Sequence, residues 1–135
     1  MKVTKLHGMG NHLMIDGHGC EESKLGDEKF IQDMLETLPN KIGLNKMTSP
    51  KVVYHQAKDK SESGVTGFVL LCESHISIHT YPKKGFMVLD IFSVKEFDIG
   101  KMIDRVKTLF SPTEIKVNLL KREYNDREKD KGFPI

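Results

Sequence analysis

Glu73, Ser74 and His75 stand together in the run GVTGFVLLCESHISIHTYP, residues 64–82, and His79 follows five residues after Ser74. A serine hydroxyl attacks a carbonyl when its proton is drawn off, and imidazole is the side chain that titrates near neutrality. A carboxylate, a hydroxyl and two imidazoles in one short stretch could therefore carry acyl transfer and proton abstraction. The plain alternative is a half-exposed strand whose polar side chains only meet water. Parity also opposes a direct pair, because residues five apart on a regular strand face opposite ways. Bringing Ser74 to His79 requires a bend, a bulge or a break near Glu73 and Ser74.

The elements that must position these residues follow from periodicity. Residues 64–71 are glycine-punctuated and then apolar, rich in β-branched and aromatic side chains, which suits a buried strand. Residues 75–80 alternate, with Ile76 and Ile78 on one face and His75, Ser77 and His79 on the other. Residues 12–16 read as a first strand, with His12, Met14 and Asp16 opposite Leu13 and Ile15. The spacing of Phe30, Ile31, Met34, Leu35 and Leu38 predicts a helix over 27–38, ended by Pro39. A strand is expected over 46–56, where Pro50 indicates an edge or a late start. Residues 57–63 read as a polar loop, 82–85 as a hairpin turn and 86–92 as the next strand. A helix over 99–110 is capped by Asp98, and a last strand covers 115–120. Residues 1–8 read as a short lead, 21–26 as a polar connection, and the chain from about 121 as a charged, solvated tail.

This order predicts an α+β fold, a two-layer sandwich of a largely antiparallel sheet with two helices on one face. The other face would need cover, most simply from a second copy of the chain. At 135 residues the chain is expected to be one domain. Its 21 basic and 19 acidic residues leave +2, so no nucleic-acid-binding field is implied. Cys20 and Cys72 have neither metal-type spacing nor a disulfide framework, which fits a cytoplasmic, reducing location. No apolar run is long enough to span a bilayer, and residues 1–5 open without an apolar signal core. His75 and His79 share a strand face and, with His12 or His18, form a conceivable metal set, but no metal is expected.

Gly64-Val65-Thr66-Gly67, a hydrophobic run, Glu73-Ser74-His75, Ile78-His79-Thr80, Tyr81 and Pro82 together resemble the self-processing segment of the prokaryotic-type S-adenosylmethionine decarboxylases. Gly10-Asn11-His12-Leu13 with Cys20, and Leu89-Asp90-Ile91-Phe92, extend the likeness to the flanking strands. The resemblance implies autocatalytic cleavage between Glu73 and Ser74 into a β chain, 1–73, and an α chain, 74–135. Ser74 would become a covalently bound pyruvoyl group that forms a Schiff base with the substrate amine and acts as an electron sink. His79 would be the processing base and Thr66 a processing hydroxyl. Tyr81 would meet the adenine or the sulfonium, and Asp16 the substrate's positive charge. The family is dimeric, builds its active sites from both protomers, and supplies aminopropyl groups for polyamine (spermidine) synthesis.

The chain departs from the family at two places. The proton donor that follows the Asp-x-Phe strand is a cysteine there and Val94 here. Cys72 is a candidate substitute, two residues before Ser74 and on the same face if the strand stays regular. Water, His75 or Ser93 could protonate instead, or the chain processes itself without decarboxylating S-adenosylmethionine. Residues 57–63 also lack the aromatic that helps hold the adenine in the family. These departures keep two alternatives open. One is a pyruvoyl-dependent arginine or ornithine decarboxylase, and the other is a non-catalytic relative that binds or regulates a partner.

Overall fold

The computed structural model describes residues 1–123. Its strands are β1 (Lys2–His7), β2 (Gly10–His18), β3 (Lys51–His55), β4 (Gly64–Leu71), β5 (Ser74–Tyr81), β6 (Phe86–Ser93) and β7 (Glu114–Glu123). The helices are α1 (Glu22–Leu25), α2 (Glu28–Lys41) and α3 (Ile99–Phe110). The strands form one sheet in the order β1-β7-β2-β6-β5-β4-β3. Every pairing is antiparallel except that of β1 with β7. This is the expected two-layer α+β architecture, with a mixed rather than purely antiparallel sheet.

Alternation decides which sheet face is buried. Leu13 and Ile15 of β2, Ile76 and Ile78 of β5, and Leu89 and Ile91 of β6 are wholly buried. They join one core with Ile31 and Leu35 of α2 and Val106 and Phe110 of α3. A Cβ on Gly67 would stand 2.9 Å from Leu35 Cδ1, so glycine is what lets α2 lie close on β4. Both long helices start on an aspartate cap. Asp27 accepts from Phe30 N–H at 3.1 Å, and Asp98 from Lys101 N–H at 2.9 Å.

Four expectations need correction. Residues 2–7 are no loose lead but the edge strand β1, held by parallel pairing to β7. The connection after Cys20 contains α1, whose Leu25 is fully buried. Pro39 does not end α2; it is buried inside the helix, which runs on to Lys41. The last strand begins at Glu114 and continues through Glu123, taking in the first residues assigned to a charged tail. The rest of that tail, 124–135, lies outside the described residues. Among the described residues no helix is long and apolar enough to cross a membrane.

Among the described residues the opposite sheet face carries no helix. The register places three rows across it. One is Asp16, Val88, His79, Thr66 and Val53; the next is Met14, Asp90, Ser77 and Phe68; the third is His12, Phe92, His75 and Leu70. Val53, Phe68 and Leu70 are 49%, 44% and 42% exposed, so this face is partly apolar as well as polar.

Candidate active site

The Glu73–Ser74 bond lies at the tip of the β4–β5 hairpin. Leu71 pairs with Ser74, which leaves Cys72 and Glu73 as a two-residue turn. On its other side Ser74 pairs with Ser93. One residue further, Val94 N–H donates to the Glu73 carbonyl at 3.2 Å. Ser93 is fully buried, and its hydroxyl accepts from Lys95 N–H at 3.0 Å. A cavity of about 90 Å³ is lined by Cys72, Glu73 and Ser74 together with Leu44, Asn45 and Lys95.

Cys72 does not sit on the strand as its sequence spacing suggested. It belongs to the turn, where its N–H donates to the Asn45 carbonyl at 3.0 Å and its side chain is exposed. Its nearness to Ser74 therefore comes from the shared cavity and not from strand parity.

The second cluster stands at the far end of β5. Thr66 pairs with His79 in register, and Thr66 Oγ1 lies 3.1 Å from His79 Nδ1. When the threonine oxygen accepts, Nδ1 carries the hydrogen and Nε2 is free to act as a base; when the threonine donates, Nε2 holds the hydrogen. Thr80 fixes the strand from beneath. Its buried hydroxyl accepts from Val65 N–H at 2.9 Å and donates to the Leu25 carbonyl at 2.7 Å. Thr66, His79 and Tyr81 line a cavity of about 100 Å³ with His55 and Glu62. Tyr81 stacks on Phe86, with centroids 5.8 Å apart and planes at 21°, and the Lys84 amine lies 5.8 Å from the tyrosine centroid.

His55 and Glu62 were not singled out from the sequence. The signal for His55 was counting: it ends β3 opposite Gly64, two pairs before Thr66 meets Val53 on the same face. Glu62 reaches the cavity through the short helical turn Lys60–Glu62, and it pairs with Lys84. No sequence periodicity announces that turn.

The two clusters do not meet within one chain. β5 is continuous from Ser74 to Tyr81, so five residues of strand, about 16 Å, separate Ser74 from His79. Ser74 shares the parity of buried Ile76, Ile78 and Thr80, whereas His79 shares that of His75 and Tyr81. The bend near Glu73 that would join them is absent, since the turn lies wholly before Ser74. Asp16 stands on the open face in the His79 row, two strands away, at about 10 Å by strand spacing.

Burial pushes the Cys20 thiol up from 9.0 to about 11, which keeps it protonated and inert. Among the described residues no three His, Cys, Asp or Glu side chains are placed to hold a metal. His12 Nε2 lies 3.5 Å from the Asp90 carboxylate, not beside His75 and His79 as ligands.

Residues 11–123 match the family model described as S-adenosylmethionine decarboxylase. The chain is 31% identical over 121 residues to the S-adenosylmethionine decarboxylase proenzyme of Methanococcus vannielii, spanning 89% of this chain and 94% of that one. It is 36% identical over 85 residues to the proenzyme of that name from a Synechococcus species, spanning 63% of this chain and 62% of the relative. Among solved structures, the adenosylmethionine decarboxylase of Aquifex aeolicus superposes with a TM-score of 0.69 at 28% identity, covering 92% of this chain and 98% of that one.

Proposed function

Because the chain belongs to the S-adenosylmethionine decarboxylase family, we propose that it is a self-processing, pyruvoyl-dependent decarboxylase of S-adenosylmethionine serving polyamine synthesis. The observation that carries this reading is the Thr66–His79 hydrogen bond on the sheet face opposite the described helices, at the end of β5 away from Ser74. A base and its partner hydroxyl are built there, yet the bond they would serve is not within their own chain's reach.

A second copy resolves this. A two-fold axis lying between two stacked sheets, across the direction of β5, brings the His79 end of each copy toward the Ser74 end of the other. The same packing covers Val53, Phe68 and Leu70, whose exposure is otherwise unfavourable. Both active sites then draw on both copies.

In the processing step, Ser74 Oγ attacks the Glu73 carbonyl and the amide becomes an ester. His79 of one copy takes the Ser74 α-proton of the other, and the ester leaves by β-elimination. Dehydroalanine then takes up water and releases ammonia. Ser74 suits this conversion, being the first strand residue after a two-residue turn and bordered by a small cavity. The resulting pyruvoyl group supplies an electron sink for the carbanion left by carbon dioxide. Asp16 meets the substrate's positive charge, Tyr81 meets the adenine or the sulfonium, and Cys72 returns a proton to the substrate carbon in place of the residue that Val94 replaces.

Intact mass of the purified protein beside Ser74→Ala tests the first half. Wild type yields fragments 1–73 and 74–135, the second blocked at its N-terminus, and Ser74→Ala stays whole. An uncleaved wild type overturns the reading. Carbon dioxide release assayed separately with S-adenosylmethionine, arginine and ornithine tests the second half, and release only from an amino acid overturns the substrate.

A further inference from the structure

The geometry points to the main-chain N–H of Val94 as the donor that stabilises the oxyanion formed on Glu73 during self-processing, aimed there by the Ser93 hydroxyl. This rests on the self-processing reading and adds to it a group for which the side chain at 94 is irrelevant.

In the acyl shift the Ser74 Oγ–Glu73 carbon bond forms and the Glu73 carbon–Ser74 nitrogen bond breaks. The hydroxyl proton passes to the departing nitrogen. Between these events the Glu73 carbonyl oxygen carries negative charge, and a fixed N–H donor lowers the barrier by meeting that charge. Val94 N–H already donates to this oxygen at 3.2 Å before any reaction begins. No reorganisation is needed to bring the dipole to the place where charge develops.

The bond is the last rung of the β5–β6 ladder, flanking the Ser74–Ser93 pair, and β6 ends at Ser93. There the buried Ser93 hydroxyl accepts from Lys95 N–H at 3.0 Å, closing a tight side-chain turn around Val94. Lys95 N–H is thus tied back, and Val94 N–H is left directed at Glu73. Gly10 presses on the same segment from β2. A Cβ there would stand 2.5 Å from the Ser93 carbonyl oxygen, and the glycine sits at φ +100°. The segment is therefore held by a buried hydroxyl below and a close backbone at its side. Val94 itself is 40% exposed, so its side chain contributes little to holding the turn.

Ser93 is accordingly a positioning residue, and its Ser74 pairing keeps the scissile bond in line with the donor. The assignment also explains how the chain can process itself while carrying valine at 94, because a main-chain donor survives any replacement except proline.

The test follows cleavage by mass spectrometry after cell-free synthesis. Val94→Pro should slow cleavage about 100-fold relative to wild type, the typical effect of one oxyanion donor. Ser93→Ala should slow cleavage at least about tenfold and Ser93→Thr should restore it. In a His79→Ala background elimination is blocked, so hydroxylamine reports ester formation alone; Ser93→Ala should slow that scission too. If Val94→Pro fails to fold by circular dichroism, the Ser93 pair decides. Wild-type rates in Ser93→Ala with and without hydroxylamine overturn the assignment while leaving self-processing intact. A wild-type chain that never cleaves overturns both.

Discussion

Thr66 Oγ1 and His79 Nδ1 lie 3.1 Å apart on the sheet face opposite the described helices. Their register pairing across β4 and β5 makes them a preassembled unit, since neither side chain must move for the contact to form. The Glu73–Ser74 bond is at the opposite end of β5, beyond the reach of either side chain. The pair and the bond therefore belong to one reaction only if two chains share the work.

Mixed dimers test that division. Ser74→Ala and His79→Ala should each remain uncleaved when expressed alone. Co-expressed, the His79→Ala chain should be cleaved, because its Ser74 meets the intact His79 of its companion. Intact mass distinguishes the two chains. Absence of cleavage in the mixture, with both single variants dimeric, would show that the two residues act within one chain.

The tautomer of His79 yields a second prediction. For Nε2 to take a proton, Thr66 must accept from Nδ1–H. Thr66→Ser keeps the oxygen and should process at close to the wild-type rate. Thr66→Val should slow processing by about 10²-fold, the scale of a general base left misoriented. Nitrogen-15 imidazole spectra of uncleaved Ser74→Ala protein should show the Nδ1–H form, and adding Thr66→Val should shift it toward Nε2–H. A wild-type Nε2–H imidazole would reverse the roles of the pair.

The residues that could be read in advance were those whose side chains obey a period. Leu13 and Ile15 against His12, Met14 and Asp16, or Met87, Leu89 and Ile91 against Val88 and Asp90, alternate because one sheet face is buried and the other is not. β1 gave no such signal: Lys2–His7 is an edge strand with mostly exposed side chains, held by backbone pairing that sequence does not display. α1 has a single buried side chain, Leu25, too little for a pattern. Pro39 was misleading because it is accommodated, buried, within the last turns of α2. At the site, the residue types of the Ser74 and His79 motifs were legible, whereas their separation depended on a turn that ends before Ser74. Val94 N–H was invisible because a main-chain donor leaves no mark on residue type.

If self-processing does not use the side chain at 94, valine there should bear on turnover and not on cleavage. Cys72 lines the cavity beside Ser74 and is exposed. Cys72→Ser should leave fragments 1–73 and 74–135 unchanged but lower carbon dioxide release, because a positioned acid typically contributes at least about 10²-fold. Val94→Cys should restore turnover in that background. Equal turnover in wild type and Cys72→Ser would assign the proton to water or another side chain.

The two thiols should separate by pH. Cys20 is 7% exposed, and burial raises it to about 11, so at pH 8 iodoacetamide should label Cys72 and spare Cys20 in the native protein. The sign for stability follows from the raised value. Below 9.0 the thiol is protonated both folded and unfolded and contributes no slope. Between 9.0 and about 11 the unfolded chain loses the proton that the folded chain still holds, so stability falls as pH rises. Cys20→Ala should remove this part of the alkaline slope in urea titrations, and an unchanged slope would place the thiol in a more solvated setting.

Gly64 should be among the least replaceable residues of the hairpin. It opens β4 beside Thr80, and a Cβ there would stand 1.8 Å from the Thr80 carbonyl oxygen and 2.7 Å from the carbonyl carbon. Both obstacles are backbone, so no rotamer change relieves them. β4 and β5 would have to part, straining the bond from Val65 N–H to Thr80 Oγ1 that lies next to the clash. Gly64→Ala should therefore cost about 3 kcal/mol in urea unfolding, the upper part of the range for overpacking. Because the displaced strand carries His79, processing should slow more than in Gly43→Ala, where a Cβ meets nothing within 4 Å. Gly43 has φ +90°, so its alanine variant bears backbone strain without the clash and serves as the control. Equal stability and cleavage in the two variants would mean that β4 and β5 can separate without disturbing the Thr66–His79 pair.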